Sequence, residues 1–318
     1  MRVCIVGAGG MGARHARAFA QVLGAEQVAM ACRDDRDRAR LAALNLPTGV
    51  QAVAFGPGLA AQFDLAVVAV QTERHFGVAQ ALDMPLLVEK PLCQSPDQAQ
   101  ALLERPHRTF VGHSSRMEAG AGPFHEVVRQ GRVGQLRGLT MSVVEPHLRR
   151  GDAPLPMVAS RLYDVVVHAV ARIVELLPAE PPMSAAASLA EQWATDPGLH
   201  AEVAWLDQPL LKLDLQSVGP GSCVVQASGD GGRVRWESKP GVTEVGYWPT
   251  ERGAFQPVAV GGPEPQLALA HEVVAALQTG APSVLDATHG LRVMQIAGAM
   301  VAAAVRGAGL QWDWGWVR

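Results

Sequence analysis

The pattern that most restricts this chain lies within its first three dozen residues. Residues 2–6, "RVCIV", form a short apolar run with the character of a buried strand. "GAGGMG" follows at once, with Gly7, Gly9 and Gly12 in G-x-G-x-x-G spacing. The next segment, "ARHARAFAQVL", reads as a helix, and "QVAMAC" as a second strand at the separation a βαβ unit requires. Gly7 permits a tight turn, Gly9 lets the backbone approach a pyrophosphate, and Gly12 lets helix and strand pack closely. Gly10 and Met11 lie at the helix N-terminus, where unpaired N–H groups and the positive end of the helix dipole face the phosphates. Such a segment predicts a dinucleotide site.

The end of the second strand selects between dinucleotides: an acidic residue there bonds the ribose hydroxyls of NAD, an arginine accommodates the 2′-phosphate of NADP. The strand ends "ACRDDRDRAR", with Arg33 directly after Cys32 and Asp34 and Asp35 behind it. Arg33 favours NADP(H), with NAD(H) as the alternative if the register shifts by one residue.

Strands and helices then alternate. "FDLAVVAV" (63–70), "MPLLVEK" and "TFVGH" (109–113) read as strands, and "RHFGVAQAL" as a helix. Ser95-Pro96 opens another helix as an N-cap followed by proline at the first helical position. This alternation predicts a parallel, doubly wound sheet, in which ligands bind beyond the carboxyl ends of the strands. "LLVEKPL" (86–92) delivers Glu89 and Lys90 to such an end, and Pro91 biases Lys90 towards an extended backbone.

Bulk properties exclude several alternatives. A length of 318 residues suggests about two domains. A formal net charge of −3 with interspersed signs argues against nucleic acid or anionic membrane as a partner. The apolar stretch 293–305 is too short to span a bilayer, and the N-terminal run is too short for a signal-peptide core. Cysteines 4, 32, 93 and 223 form no CxxC and no ligand-like spacing, so reduced thiols in a cytoplasmic protein are expected. "HEVV" at His125 and at His271 lacks the second histidine of a zinc protease helix, and no metal site is expected. Residues from about 181 to 260 show two-residue alternation with a turn signal at Asp230-Gly231, predicting antiparallel strands. Trp312, Trp314 and Trp316 alternate like one face of a terminal strand.

The chain resembles the Gfo/Idh/MocA family of NAD(P)-dependent oxidoreductases. The likeness rests on "GAGGMG", "VEKPL" (88–92), "VGHSSRM" (111–117), "VVRQGRVGQLRGL" (127–139), "YDVVVH" (163–168) and the closing "PSVLDATHGLRVMQIAGAMVAAAVRG", in the family's order. The resemblance implies an α/β architecture: a Rossmann domain, residues 1–118, and an α+β domain with a large, mostly antiparallel sheet, residues 119–318. It also implies pairing through that sheet's open face into a homodimer or homotetramer. It assigns catalysis to Lys90, Asp164 and His168, and places His75 and Glu89 beside the cofactor. His113, Arg116 and Tyr163 are candidate substrate contacts. The Asp164–His168 spacing is sound in its own right, because residues at i and i+4 share a helix face and a carboxylate there can orient an imidazole.

Two departures from the family pattern stand out. Val166 replaces a glycine between Asp164 and His168, and Ala171 replaces a second acid three residues after the histidine. They predict an altered substrate wall. The leading reading is an NADP(H)-dependent oxidoreductase moving a hydride between nicotinamide and a carbinol or ketone carbon of a small, sugar-like metabolite. The alternatives are an imine reductase and a non-catalytic, nucleotide-sensing relative.

Overall fold

The computed structural model describes residues 1–148, 155–180, 182–190, 197–205, 210–250, 253–307, 312–313 and 316–317. The chain divides into two compact units: Met1–Met117 with Pro263–Leu291, and Glu118–Gly262 with Arg292–Arg318. The N-terminal stretch of the first unit ends at Met117, and Pro263–Leu291 groups with it rather than with Glu118–Gly262.

The first unit begins with β1 (Val3–Val6), α1 (Gly10–Leu23), β2 (Val28–Cys32), α2 (Asp35–Ala42), β3 (Gln51–Ala54) and β4 (Leu65–Val68). It continues with α3 (Thr72–Gln80), β5 (Leu86–Glu89), α4 (Pro96–Leu103) and β6 (Thr109–Gly112). The strands form one parallel sheet in the order β3-β2-β1-β4-β5-β6. β1, β2, β4, β5 and β6 are buried at every position, as continuous apolar runs in a parallel sheet should be. Local chemistry sets the helix starts. Asp34 Oδ1 accepts the Asp37 N–H at 2.9 Å, and Ser95 Oγ accepts the Gln98 N–H at 3.3 Å with Pro96 at the first helical position.

The second unit contains α5 (Ala121–Arg129), β7 (Leu136–Val144), α6 (Leu155–Ala171) and seven further strands. These are β8 (Ser184–Leu189), β9 (Leu199–Ala204), β10 (Leu210–Gln216), β11 (Ser222–Gly229), β12 (Gly232–Lys239), β13 (Val242–Trp248) and β14 (Gln256–Val258). They form an eight-stranded sheet in the order β14-β13-β12-β11-β7-β10-β9-β8, antiparallel except between β7 and β10. Asp230-Gly231 is the two-residue turn of the β11–β12 hairpin, closing the Gly229–Gly232 pair. One face of the sheet packs Leu139, Met141, Leu213, Val225 and Trp236 into a core shared with Leu162, Val166, Val167 and Val170 of α6. The other face is polar, carrying Thr140, Ser142, Lys212, Asp214, Gln226, Arg235 and Glu237, with Lys212–Glu202 and Arg235–Glu237 ion pairs across it. Among the described residues this open face is therefore mostly polar, with Val144, Leu210 and Val224 among its apolar members.

α7 (Pro265–Thr279) returns to the first unit. Glu264 caps it by accepting the N–H groups of Gln266 and Leu267, and Gly280 ends it in the left-handed conformation. Leu269, Ala270 and Val273 of α7 join the core formed by Val3, Ile5, Phe19, Met30 and Leu87. α8 (Ala287–Gly307) follows, then the short antiparallel pair β15 (Trp312–Asp313) and β16 (Trp316–Val317). The expected single strand with three tryptophans on one face is thus a two-stranded hairpin, with Trp312 opposite Val317 and Trp316 opposite Asp313; Trp314 lies outside the described residues. Among the described residues, no helix is long and apolar enough to cross a membrane.

Candidate active site and dinucleotide-binding turn

The glycine turn has two kinds of glycine. Gly7 follows β1 with φ +137°, and a Cβ there would meet the Ala69 carbonyl oxygen at 2.2 Å. A Cβ on Gly12 would lie 1.9 Å from the Gly7 carbonyl oxygen. Both glycines are required by the protein's own packing. Gly9, the residue before α1, and Gly10, its first residue, would meet nothing within 4 Å. Nothing in the fold demands glycine at these two places, whereas a pyrophosphate lying on the helix N-terminus would. The turn therefore fits a dinucleotide, with the N–H groups of Gly10, Met11 and Gly12 in the first turn of α1.

Arg33 directly follows β2, and its guanidinium is clasped by Asp37, with Nε–Oδ2 at 2.8 Å and Nη2–Oδ1 at 3.1 Å. Its backbone N–H also donates to Asp37 Oδ2 at 3.1 Å. The Arg33 hydrogen bonds hold the Asp37 carboxyl below its ordinary range.

Lys90 occupies the carboxyl end of β5, as expected, joined to Pro91 by a cis peptide. Its neighbours are held from below. Glu89 is 5% exposed and its Oε1 lies 2.7 Å from Nε2 of fully buried His15 on α1, while Oε2 accepts the Lys90 N–H at 3.1 Å. Burial pushes the Glu89 carboxyl upward, but the His15 hydrogen bond, with Lys90 beside it, outweighs this and leaves it below its ordinary value. Gly112 of β6 makes room for this arrangement, since a Cβ there would lie 2.9 Å from Glu89 Oε1.

Two expected cofactor contacts are thus differently employed. Glu89 turns into the unit towards His15. His75, on α3 and 1% exposed, has Nδ1 2.9 Å from the Pro91 carbonyl and Nε2 3.1 Å from the Val70 carbonyl. Both ring nitrogens face backbone carbonyls, and the single N–H of a neutral ring donates to one of the two. Burial lowers its pKa.

His113 ends β6 and is 3% exposed; neither ring nitrogen has a protein partner among the described residues. Burial pushes its pKa down to about 3, although Glu89 opposes the shift. Arg116 is buried in the single turn Ser114–Met117.

In the second unit, α6 places Asp164 and His168 one turn apart on a half-exposed strip while Leu162, Val166, Val167 and Val170 are buried. Tyr163 lies beside them, 6% exposed. Val166 and Ala171 are 0% and 1% exposed within the hydrophobic core. The substitutions that predicted an altered substrate wall are therefore core substitutions, and that expectation is corrected. The segment 149–154 before the helix lies outside the described residues.

Sequence reasoning passed over Arg172, one turn after His168. Its Nη1 donates to the His168 carbonyl at 3.2 Å, and its guanidinium pairs with Glu118. The signal was its i+4 spacing from His168. His125, set aside as a zinc ligand, lies 2.7 Å through Nε2 from the Arg172 carbonyl. No cluster of three metal-ligating side chains occurs among the described residues. All four cysteines are free and buried, and burial pushes the Cys4 and Cys93 thiols up to about 12.

Comparison with known proteins agrees with this geometry. A family described as "Oxidoreductase family, NAD-binding Rossmann fold" (GFO_IDH_MocA) matches residues 1–110. Inositol 2-dehydrogenase from Arthrobacter sp. (strain FB24) is 29% identical over 146 residues. That match spans less than half of the curated relative, 43% of its length and 43% of this chain. Among solved structures, UDP-N-acetylglucosamine 3-dehydrogenase GnnA from Acidithiobacillus ferrooxidans aligns with a TM-score of 0.76 at 21% identity, covering 96% of this chain and 97% of that one. An oxidoreductase from Agrobacterium radiobacter, in complex with NAD+, L-tartaric acid and magnesium, aligns with a TM-score of 0.74 at 14% identity, covering 97% and 96%. At these identities the structural likeness carries the fold. Residues 1–110 thus match the Gfo/Idh/MocA oxidoreductase family model, described by its NAD-binding Rossmann fold, and their parallel six-stranded sheet agrees with that likeness.

Proposed function

We propose that the protein is an NADP(H)-dependent oxidoreductase acting on a carbinol or ketone carbon of a small, sugar-like metabolite. The observation that carries this reading is the glycine turn, where packing requires Gly7 and Gly12 while Gly9 and Gly10 leave open space at the N-terminus of α1, in the same unit as Lys90 at a strand end. The inositol and UDP-N-acetylglucosamine dehydrogenases to which the chain is similar support a polyhydroxylated substrate. Burial of Val166 and Ala171 removes the argument for a reshaped wall, and with it the main support for imine reduction. Arg33 supports NADP(H) over NAD(H).

When bound at the glycine turn and Arg33, a nicotinamide dinucleotide would supply the hydride acceptor or donor for the carbinol or ketone carbon. The chain's residues handle the proton and the oxygen. Lys90 donates a hydrogen bond to the substrate oxygen and stabilises charge developing there. His168 takes the hydroxyl proton in oxidation and gives it back in reduction, and Asp164 orients its ring. His113, Arg116 and Tyr163 make up the proposed substrate contacts. His113 has the clearest support, because its two buried nitrogens lack protein partners among the described residues.

The test is a screen following reduced-nicotinamide absorbance, with both cofactors against sugars, polyols, ketones and cyclic imines. Turnover of a polyol or sugar with NADP+ is expected; turnover confined to C=N compounds, or cofactor binding without turnover, overturns the reading. A homodimer or homotetramer through the polar face of the eight-stranded sheet is proposed with it, and light scattering showing a monomer at micromolar concentration would end that proposal. Free cysteines accord with a reducing, cytoplasmic setting.

A further inference from the structure

Three side chains from distant parts of the first unit form one buried chain: Gln266 on α7, His15 on α1 and Glu89 at the end of β5. Gln266 Nε2 lies 2.9 Å from His15 Nδ1, and His15 Nε2 lies 2.7 Å from Glu89 Oε1. Their exposures are 6%, 0% and 5%. We infer that Gln266 and His15 are positioning residues that fix Glu89, and through it the Lys90 backbone, at the strand end.

The hydrogen-bond directions follow from donor chemistry. Glu89 as a carboxylate only accepts, so His15 Nε2 carries the proton and donates to it. Gln266 presents its amide nitrogen, a donor only, so its N–H donates to Nδ1 as acceptor. Both oxygens of Glu89 are thereby committed, Oε1 to His15 and Oε2 to the Lys90 N–H. A buried polar chain of this kind is not the economical way to stabilise a core, since apolar side chains of similar volume do as well or better. Its distinguishing property is direction: each bond fixes the next group's orientation.

Two further features converge on the same chain. Gly112 lacks the Cβ that would strike Glu89 Oε1. The return of Pro263–Leu291 to the first unit brings in Gln266, whose helix start is held by Glu264 and Pro265. His15 stands on the helix whose N-terminus forms the glycine turn, so the chain ties the helix of the proposed cofactor site to the strand end bearing Lys90.

This inference rests on the proposed catalytic role of Lys90, and the experiment separates the two. The sequence contains three lysines, Lys90, Lys212 and Lys239. Reductive methylation with ¹³C-formaldehyde therefore gives few NMR signals, and Lys90→Arg identifies its own. In His15→Leu and Gln266→Leu the Lys90 signal should shift or broaden while those of Lys212 and Lys239 stay in place. His15→Gln, which keeps a donor for Glu89, should restore the wild-type signal. An unmoved Lys90 signal in both leucine variants, with cofactor titration confirming that they are folded, overturns the inference whatever the turnover. With the substrate found by the screen, the leucine variants should lose about tenfold or more in kcat, as misplacement of a reacting group does, with cofactor affinity little changed. Full turnover by Lys90→Ala would instead remove the catalytic reading, while a shifted Lys90 signal would still uphold the positioning contacts.

Discussion

Arg33 and Asp37 form a two-bonded pair across one turn at the start of α2, with the arginine side chain 45% exposed and the aspartate 7% exposed. The clasp uses Nε and Nη2, which leaves Nη1 as the group that would meet a 2′-phosphate if Arg33 selects NADP(H) as proposed. A charge-assisted hydrogen bond contributes about 1.5–3 kcal/mol, or roughly ten- to a hundredfold in binding. Arg33→Asp should weaken NADPH by about that factor and leave NADH equal or better. Asp37→Ala should weaken NADPH less, because it removes orientation without removing charge. Fluorescence titration with both cofactors decides it: wild-type protein binding NADH at least as tightly as NADPH would show that Arg33 does not select.

The glycine turn separates a folding effect from a binding effect. Gly12→Ala forces a Cβ to within 1.9 Å of the Gly7 carbonyl, so β1 and α1 must move apart. It should lower the thermal midpoint, by an amount in the range of about 1–3 kcal/mol for overpacking. Gly9→Ala meets nothing within 4 Å and should melt like the wild type while losing cofactor affinity. If Gly9→Ala binds NADPH normally, the open space at Gly9 is not where the pyrophosphate lies.

His113 makes acid stability predictable. In the folded chain burial keeps its ring neutral down to about pH 3, whereas an unfolded histidine protonates near 6.5. Between those values the unfolded state binds more protons, so stability falls as pH falls, by at most about 1.4 kcal/mol per pH unit. Glu89, Lys90 and His289 are the charged and titratable groups acting on it, and the low value already includes them. His113→Leu should flatten the urea-unfolding midpoint between about pH 6 and pH 4. His75, lowered in the same direction, should keep a smaller slope in that variant. A His113→Leu profile as steep as the wild type would assign the acid loss elsewhere.

The sequence was most legible where burial and periodicity coincide. β1, β2, β4, β5 and β6 are buried throughout and were readable from their apolar runs. β3, "QAVA", is a four-residue edge strand exposed at three of its positions, and so short a run does not separate from its flanks. The return of α7 to the first unit was not readable either, because its buried face looks the same whichever core it joins. Lys90 was marked by the proline after it. The partners of Glu89 were not, since His15 and Gln266 are 251 residues apart and each alone reads as an ordinary polar helix residue. For His75, position beside a strand end suggests a ligand contact, while the two carbonyls facing its ring were not legible in the sequence.

The remaining prediction concerns the chemistry at Lys90 and His168. Among the proposed catalytic groups, His168 has the ordinary pKa closest to neutrality, which suits a group that takes and returns a proton. Lys90 brings hydrogen-bond donors suited to stabilising a developing oxyanion. Positioned acid–base catalysis contributes about 10²–10⁴-fold, so Lys90→Ala and His168→Ala should each lower kcat within that range. Cofactor affinity should scarcely change in either, because the glycine turn and Arg33 are the groups proposed to hold the dinucleotide. Asp164→Asn should cost less than His168→Ala, since an amide still orients the ring but no longer stabilises its charge. The pH profile distinguishes the roles: the acidic limb of kcat for alcohol oxidation should vanish in His168→Ala and persist at reduced height in Lys90→Ala. A Lys90→Ala enzyme with wild-type turnover would make Lys90 a strand-end residue of structural value alone. Loss of the acidic limb in Asp164→Asn with His168 intact would instead move the proton to Asp164.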